Sequence, residues 1–208
     1  MHRIILSSLA LLITCSVSYP QEWYVRTFIS PDERPLEEVR DIKKTGDDAI
    51  WFATFGNGIA RLKGSEWRVF TTEDGLSSNF VPAIEVDGSD GIWAATDNGI
   101  SHISESGMIT PYSEDVVTIM DVVWLNEVKR LSNGEIWFGS HSGSIIGCVD
   151  SSQTPSVGDS LKTIIVDKIK WFVVKPPSVF PNHIIYEIYE DEKNTIWIAA
   201  GVGGPLCL

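Results

Sequence analysis

Hydrophobic and polar positions alternate along this chain in short bursts separated by turn residues. Phe80-Val81-Pro82-Ala83-Ile84-Glu85-Val86 and Ile184-Ile185-Tyr186-Glu187-Ile188-Tyr189 have the period of two expected of half-buried strands. After such a strand comes a turn rich in Asp, Asn and Gly: Gly46-Asp47-Asp48, Asp87-Gly88-Ser89-Asp90-Gly91, Ser132-Asn133-Gly134 and Asp191-Glu192-Lys193-Asn194. These residues tolerate positive φ or bond their own backbone, so they close hairpins. An aromatic strand follows each turn, at 50–54, 92–96, 136–140 and 196–200. Its tryptophans, Trp51, Trp93, Trp137 and Trp197, are 42, 44 and 60 residues apart. Six or seven residues beyond each stands a glycine: Gly58, Gly99, Gly143 and Gly203. Ile59-Ala60-Arg61-Leu62 then reads as a third strand and Trp67-Arg68-Val69-Phe70-Thr71 as a fourth.

A unit of about 42 residues with four antiparallel strands is the signature of a propeller blade. The predicted fold is all-β: a β-propeller of four-stranded antiparallel blades spanning 19–208. About four blades are expected, as an incomplete part of a larger propeller truncated at its C-terminus. Two positions after each Trp, on the same face of the strand, stand Ala53, Ala95, Gly139 and Ala199. A large ring beside a small residue suits blade-on-blade packing, so all four Trp are expected in the core rather than in a ligand cage. Pro35 to Lys44 has charges at helical spacing, but it falls where the first strand of blade one belongs. Blade three has an insertion, with a Ser/Thr/Pro/Gly-rich loop at 151–160 and an apolar stretch at 168–175 that Pro176-Pro177 ends.

Composition refines this picture. The 208 residues are 43% hydrophobic and 21% charged, with 17 Gly, 10 Pro and 8 Trp, which is globular and suits an all-β chain. The net charge of −12, with no basic stripe, argues against nucleic-acid binding. At the N-terminus, His2-Arg3, the apolar run Ile4–Ile13 and the small residues Ser16 and Ser18 read as a signal peptide over 1–18. The expected location is periplasmic or extracellular. Leu12-Ile13-Thr14-Cys15 is close to a lipoprotein box, but Thr14 fits poorly there, so an anchor at Cys15 is the lesser reading. Export would permit a Cys148–Cys207 disulfide. Nothing in the spacing requires one, and two unpaired buried thiols is the preferred reading. No CxxC or Cys/His cluster indicates a metal, and no cofactor is expected.

The run Asp74-Gly75-Leu76-Ser77-Ser78-Asn79, the Asp90-Gly91 turn, Ile92-Trp93-Ala94-Ala95-Thr96 and Asn98-Gly99-Ile100 together resemble the two-component regulator propeller repeat. Blade one matches through Thr54 and Gly58-Ile59. Blades three and four depart from it, with Ser140 and Ala200 in place of the Thr, and with Phe180-Pro181-Asn182 as the lead-in to blade four. The resemblance implies the exported sensing propeller of a hybrid two-component regulator, often tuned to carbohydrate. It also implies further blades and signalling domains in a longer protein, and it does not imply catalysis.

The residues themselves offer no catalytic constellation: GxSxG, HExxH and P-loop patterns are all missing. Gly201-Val202-Gly203-Gly204 lacks the strand-to-helix setting of a nucleotide loop and reads as a turn. Asp87 to Gly91 loosely resembles a calcium loop without the distant Glu, so a hairpin turn is the default. The loops after the second strands and those between blades share one face of a propeller. Phe55, Asn57, Asn79, Asp97, Asn98, His141, Asn182 and His183 are therefore the candidate site for a small polar or carbohydrate ligand. Two alternatives stand beside it. One is a propeller lyase that recruits His141, although no second His or acid stands at a matching position. The other is a protein–protein scaffold. Glu22 to Arg26 repeats the fourth-strand pattern of Glu66 to Phe70, so 22–28 is expected to supply the outer strand of a closing blade. Without closure, open blade edges would favour self-association.

Overall fold

The computed structural model describes residues 38–112, 116, 124–157, 163–174, 183–201 and 206–207. The signal stretch, Cys15, the strand expected at 22–28, Asn182, Gly203 and the side chain of Cys207 lie outside the described residues. Four antiparallel sheets follow one another along the chain. Blade one is β1 (Val39–Lys44), β2 (Ile50–Thr54), β3 (Ile59–Lys63) and β4 (Glu66–Phe70). Blade two is β5 (Ala83–Val86), β6 (Ile92–Thr96), β7 (Gly99–Ile103) and β8 (Ile109–Pro111). Blade three begins with β9 (Leu125–Arg130), β10 (Ile136–Ser140) and β11 (Ile145–Asp150), then adds β12 (Thr163–Val166) and β13 (Ile169–Val174). Blade four has β14 (Ile185–Glu190), β15 (Ile196–Ala200) and β16 (Leu206–Cys207). Each Trp stands on the second strand of its blade, and Val39–Lys44, within the stretch that has charges at helical spacing, forms strand β1 rather than a helix.

The expectation of four strands per blade holds for the first two blades. Blade three has five strands in the order β12-β13-β11-β10-β9. Its insertion forms a hairpin: β13 takes the fourth-strand place and β12 adds a fifth strand outside it. Asp167 and Lys168 form the tight turn, with φ of 50° and 65°. In blade four, three strands fall among the described residues.

The blades pack face to face through three apolar layers. Trp51 and Ala53 meet Ile84 and Ala94 of blade two. Trp93 and Ala95 meet Val128 and Phe138 of blade three. Trp137 meets Ile188 and Ile198 of blade four. The small residue two positions after the Trp makes room for the next blade. A Cβ on Gly139 would stand 2.4 Å from Cγ2 of Ile185. The indole nitrogens have local anchors, donating to Thr45 Oγ1 (3.4 Å), Glu135 Oε2 (2.8 Å) and Asp191 Oδ2 (2.9 Å) from Trp51, Trp137 and Trp197.

One tryptophan departs from the core expectation. Trp51, Trp93 and Trp137 are buried, but Trp197 is 39% exposed. The reason is positional: each buried Trp is covered by the blade that follows, and no blade among the described residues follows β15. The opposite end of the arc mirrors it, with Ile42 of β1 55% exposed. Its counterparts Ile84, Val128 and Ile188 are all buried against the preceding blade. Cys148 is a buried free thiol in the layer between blades two and three, and burial pushes its pKa well up.

Candidate functional site

A backbone hydrogen bond recurs in every blade. The amide four residues after each Trp donates to the carbonyl thirteen residues before it. The pairs are Phe55 to Glu38 (3.1 Å), Asp97 to Phe80 (3.3 Å), His141 to Trp124 (2.8 Å) and Gly201 to Ile184 (3.0 Å). This bond joins the turn after the second strand to the chain entering the first, and so builds one rim position per blade. Three of the candidate residues, Phe55, Asp97 and His141, occupy equivalent rim positions as a result, so an acid does stand at the position matching His141, contrary to the expectation from sequence.

The turns behind the rim are fixed by a buried hydroxyl three residues after the Trp. Thr54 Oγ1 donates to the Gly58 carbonyl and Thr96 Oγ1 to the Gly99 carbonyl, both at 2.8 Å. Ser140 Oγ accepts from the Ser144 amide at 2.8 Å, which explains why serine can replace threonine in blade three. Gly58 is required on two counts. Its φ is +75°, and a Cβ there would stand 2.1 Å from the Phe70 carbonyl oxygen. Gly99 and Gly143 also have positive φ, 108° and 85°.

Several candidate side chains are occupied in shaping these loops. Asn79 Oδ1 accepts from the Thr72 amide (2.9 Å), and its carbonyl accepts from the amides of Gly56 and Gly58. Asn98 Nδ2 donates to the Ser77 carbonyl at 3.3 Å. At Asn57 it is the backbone N–H that donates, to Thr54 Oγ1 at 3.0 Å. His183 is half-buried at the entry to β14. The Asp87 to Gly91 segment is a closed turn: Asp87 Oδ1 accepts from the amides of Ser89 and Gly91, and Oδ2 pairs with His102 Nε2 at 2.7 Å. Burial works against the Asp87 carboxylate, but the bonds from His102, Ser89 and Gly91 outweigh it and hold its pKa below the usual range.

Two aromatic pairs remain open at the rim. The exposed Trp124 stacks on the exposed His141, with centroids 5.0 Å apart and planes at 27°. The exposed Phe80 meets Phe55 edge-on at 4.9 Å, and the Arg40 guanidinium lies 5.2 Å over the Phe55 ring. Trp124 and Phe80 were missed from sequence, although both stand thirteen residues before a Trp. Asp97 Oδ1 is a buried oxygen with no hydrogen-bond partner among the described residues.

Below the rim, the first strands of all four blades line one cavity of about 600 Å³. Each of β1, β9 and β14 slips register at the same place, between Val39 and Asp41, opposite Gly139 and Ser140, and between Ile185 and Glu187. The bulge releases Arg40, Asn126 and Tyr186, and all three line the cavity. Further along these strands the lining includes Asp41, Glu127 and Glu187, ten residues before their Trp, and Lys43, Glu85 and Lys129, eight before. Lys43 pairs with Asp41 at 3.2 Å and Lys129 approaches Glu85 at 3.9 Å. Burial raises the pKa of Glu127 to about 8, with Asp41 and Glu187 adding to the rise and Lys43 and Lys129 opposing it. Asn126 Nδ2 is buried without a partner among the described residues. Sequence reading missed this lining entirely, though a polar residue eight or ten positions before each Trp was there to be found.

No protein-family model and no curated protein matches the sequence. Solved structures do match. The extracellular domain of the BT4673 one-component system from B. thetaiotaomicron is 17% identical at a TM-score of 0.65, over 86% of this chain and 23% of that one. The extracellular domain of the BT3049 hybrid two-component system from the same organism is 15% identical at a TM-score of 0.51, over 85% and 28%. A catalytically inactive virginiamycin B lyase from Staphylococcus aureus with quinupristin is 16% identical at a TM-score of 0.57, over 77% and 48%. The chain thus spans about a quarter of the sensor domains and about half of the lyase. At these identities the likeness establishes the propeller fold. The extracellular two-component domains among the neighbours agree with the repeat resemblance.

Proposed function

We propose that this chain is an exported, non-catalytic ligand-sensing propeller module whose ligand is a small polyhydroxylated molecule of the carbohydrate class. The observation that supports this best is the stacked Trp124–His141 pair, exposed at the rim above a polar cavity. A flat aromatic face with hydrogen-bonding groups at its edge suits the apolar face and hydroxyls of a sugar ring. The orphaned Asp97 Oδ1 and Asn126 Nδ2 supply an acceptor at the rim and a donor in the cavity. Such buried unsatisfied atoms call for a water or a ligand. The lyase reading keeps one supporting observation, an exposed His141 in a fold that a lyase also uses. In its disfavour, His141 faces an indole rather than an acid or a second His.

A glycan array followed by calorimetry of the best ligand tests the proposal. Changing Trp124 and His141 together to Ala should weaken binding about tenfold or more, roughly 1.4 kcal/mol, with the thermal midpoint nearly unchanged because both side chains are exposed. Unchanged affinity in that variant would place the ligand elsewhere.

A further inference from the structure

The two ends of the arc present opposite halves of one interface. Each internal junction is built from the same positions. One blade offers its Trp and the small residue two positions on. The next offers the aliphatic residue nine positions before its own Trp and the residue just after that Trp: Ile84 and Ala94, Val128 and Phe138, Ile188 and Ile198. Blade four offers Trp197 and Ala199, both exposed, with the intervening Ile198 buried. Blade one offers Ile42, exposed, and Phe52, half-buried, which are cross-strand partners.

The blade-four face is already organised for a partner. Asp191 holds the Trp197 indole N–H at 2.9 Å, so this ring has a local anchor as Trp51 and Trp137 do in their buried settings. Beside it is a cavity of about 340 Å³ lined by Glu187, Tyr189, Trp197, Ile198 and Ala199. Polar contacts can extend across the junction as well. Within the arc, Asp41 Oδ2 accepts from the Ile84 amide of the next blade at 3.1 Å. Glu187 is the counterpart of Asp41, and Ile42 of Ile84. In the free chain the Ile42 amide donates to Oδ1 of its own neighbour Asp41 at 2.7 Å, a bond that a second copy's Glu187 would exchange for its own, and Lys43 pairs with the same Asp41 at 3.2 Å.

We propose that these faces pair head to tail, with blade four of one chain covered by blade one of a second copy of the same chain. The residues that seal each internal junction are those left open at the ends, so the copy needs no surface that the repeat does not already specify. A heterologous contact of this kind generates rings when its rotation closes and chains when it does not. Two copies would bring eight blades together, within the range propellers use.

Sedimentation of the full chain from about micromolar to about 100 micromolar tests the pairing. The wild type should show a mass that rises above the monomer with concentration. Ile42→Asp and Trp197→Ala should each remain monomeric, and both residues are exposed enough for far-UV spectra to stay native. Mixing the two variants is the decisive arm. Ile42→Asp keeps an intact blade-four face and Trp197→Ala an intact blade-one face, so the mixture should form a one-to-one dimer and nothing larger. A wild type that stays monomeric throughout would overturn the proposal, assigning the faces to another blade or partner. Association by either variant alone, or a mixture that stays monomeric, would overturn it equally.

Discussion

Trp93 and Trp197 occupy the same place in two copies of one strand, yet their surroundings differ completely. Trp93 is 6% exposed and touches Phe138 and Trp171 of the next blade, both edge-on, at 5.9 and 5.8 Å. It also lies against His102 and Tyr112 of its own blade. Trp197 has a polar anchor but is 39% exposed. Local structure is therefore encoded within each repeat, whereas burial is supplied by the neighbour. A blade is a folded sheet with half a core on either side.

The sharpest way to break that comparison is truncation at both places. Trp93→Ala should destabilise by about 3–5 kcal/mol, as expected for a buried large aromatic. Trp197→Ala should cost under about 1 kcal/mol in dilute monomer. Denaturant midpoints of the two variants measure the difference, and equal costs would mean that Trp197 is covered in solution. Next in size is Gly139→Ala. Three blades have alanine at this position, but in blade three Ile185 fills the space a methyl would need. The substitution should therefore cost about 1–3 kcal/mol through overpacking. The reverse change at the open end, Ala199→Gly, should cost about 1 kcal/mol at most, for backbone flexibility alone.

Much of this architecture was legible because the repeat speaks in identities. The Trp phrase, the turn before it and the glycine beyond it fixed strand order and register for blades one and two. Blade three was harder to read. The apolar Ile164-Ile165-Val166 and Ile169 to Val174 look alike as sequence, and only pairing to β11 shows which of them takes the fourth-strand place. The site was legible only in part. Phe55, Asp97 and His141 could be placed at the rim because turn positions follow the period. Asn79 and Asn98, read as ligand groups, also fasten loops, a second role that sequence does not separate from the first because amides serve both with the same atoms. The cavity lining was hidden by the bulges in β1, β9 and β14. One extra residue per strand shifts alternation by one, so a simple period of two misreads which side chains reach the axis.

The last effect we expect lies in that lining and is read as a slope with pH. Glu127 has its pKa raised from an ordinary 4.5 to about 8 in the fold, first by burial and then by Asp41 and Glu187, against the pull of Lys43 and Lys129. Between those two values the folded chain keeps a proton that the unfolded chain has released. Stability then falls as pH rises, because the native state binds more protons. The contribution of Glu127 is full below about pH 4.5, declines above it and is gone once pH passes about 8. Glu127→Gln keeps the shape and removes the ionisation. Its thermal midpoint should match the wild type near pH 5 and exceed it near pH 8. Parallel curves for Glu127→Gln and the wild type would show that this carboxyl titrates normally, and that the axial cavity is wetter than its packing indicates.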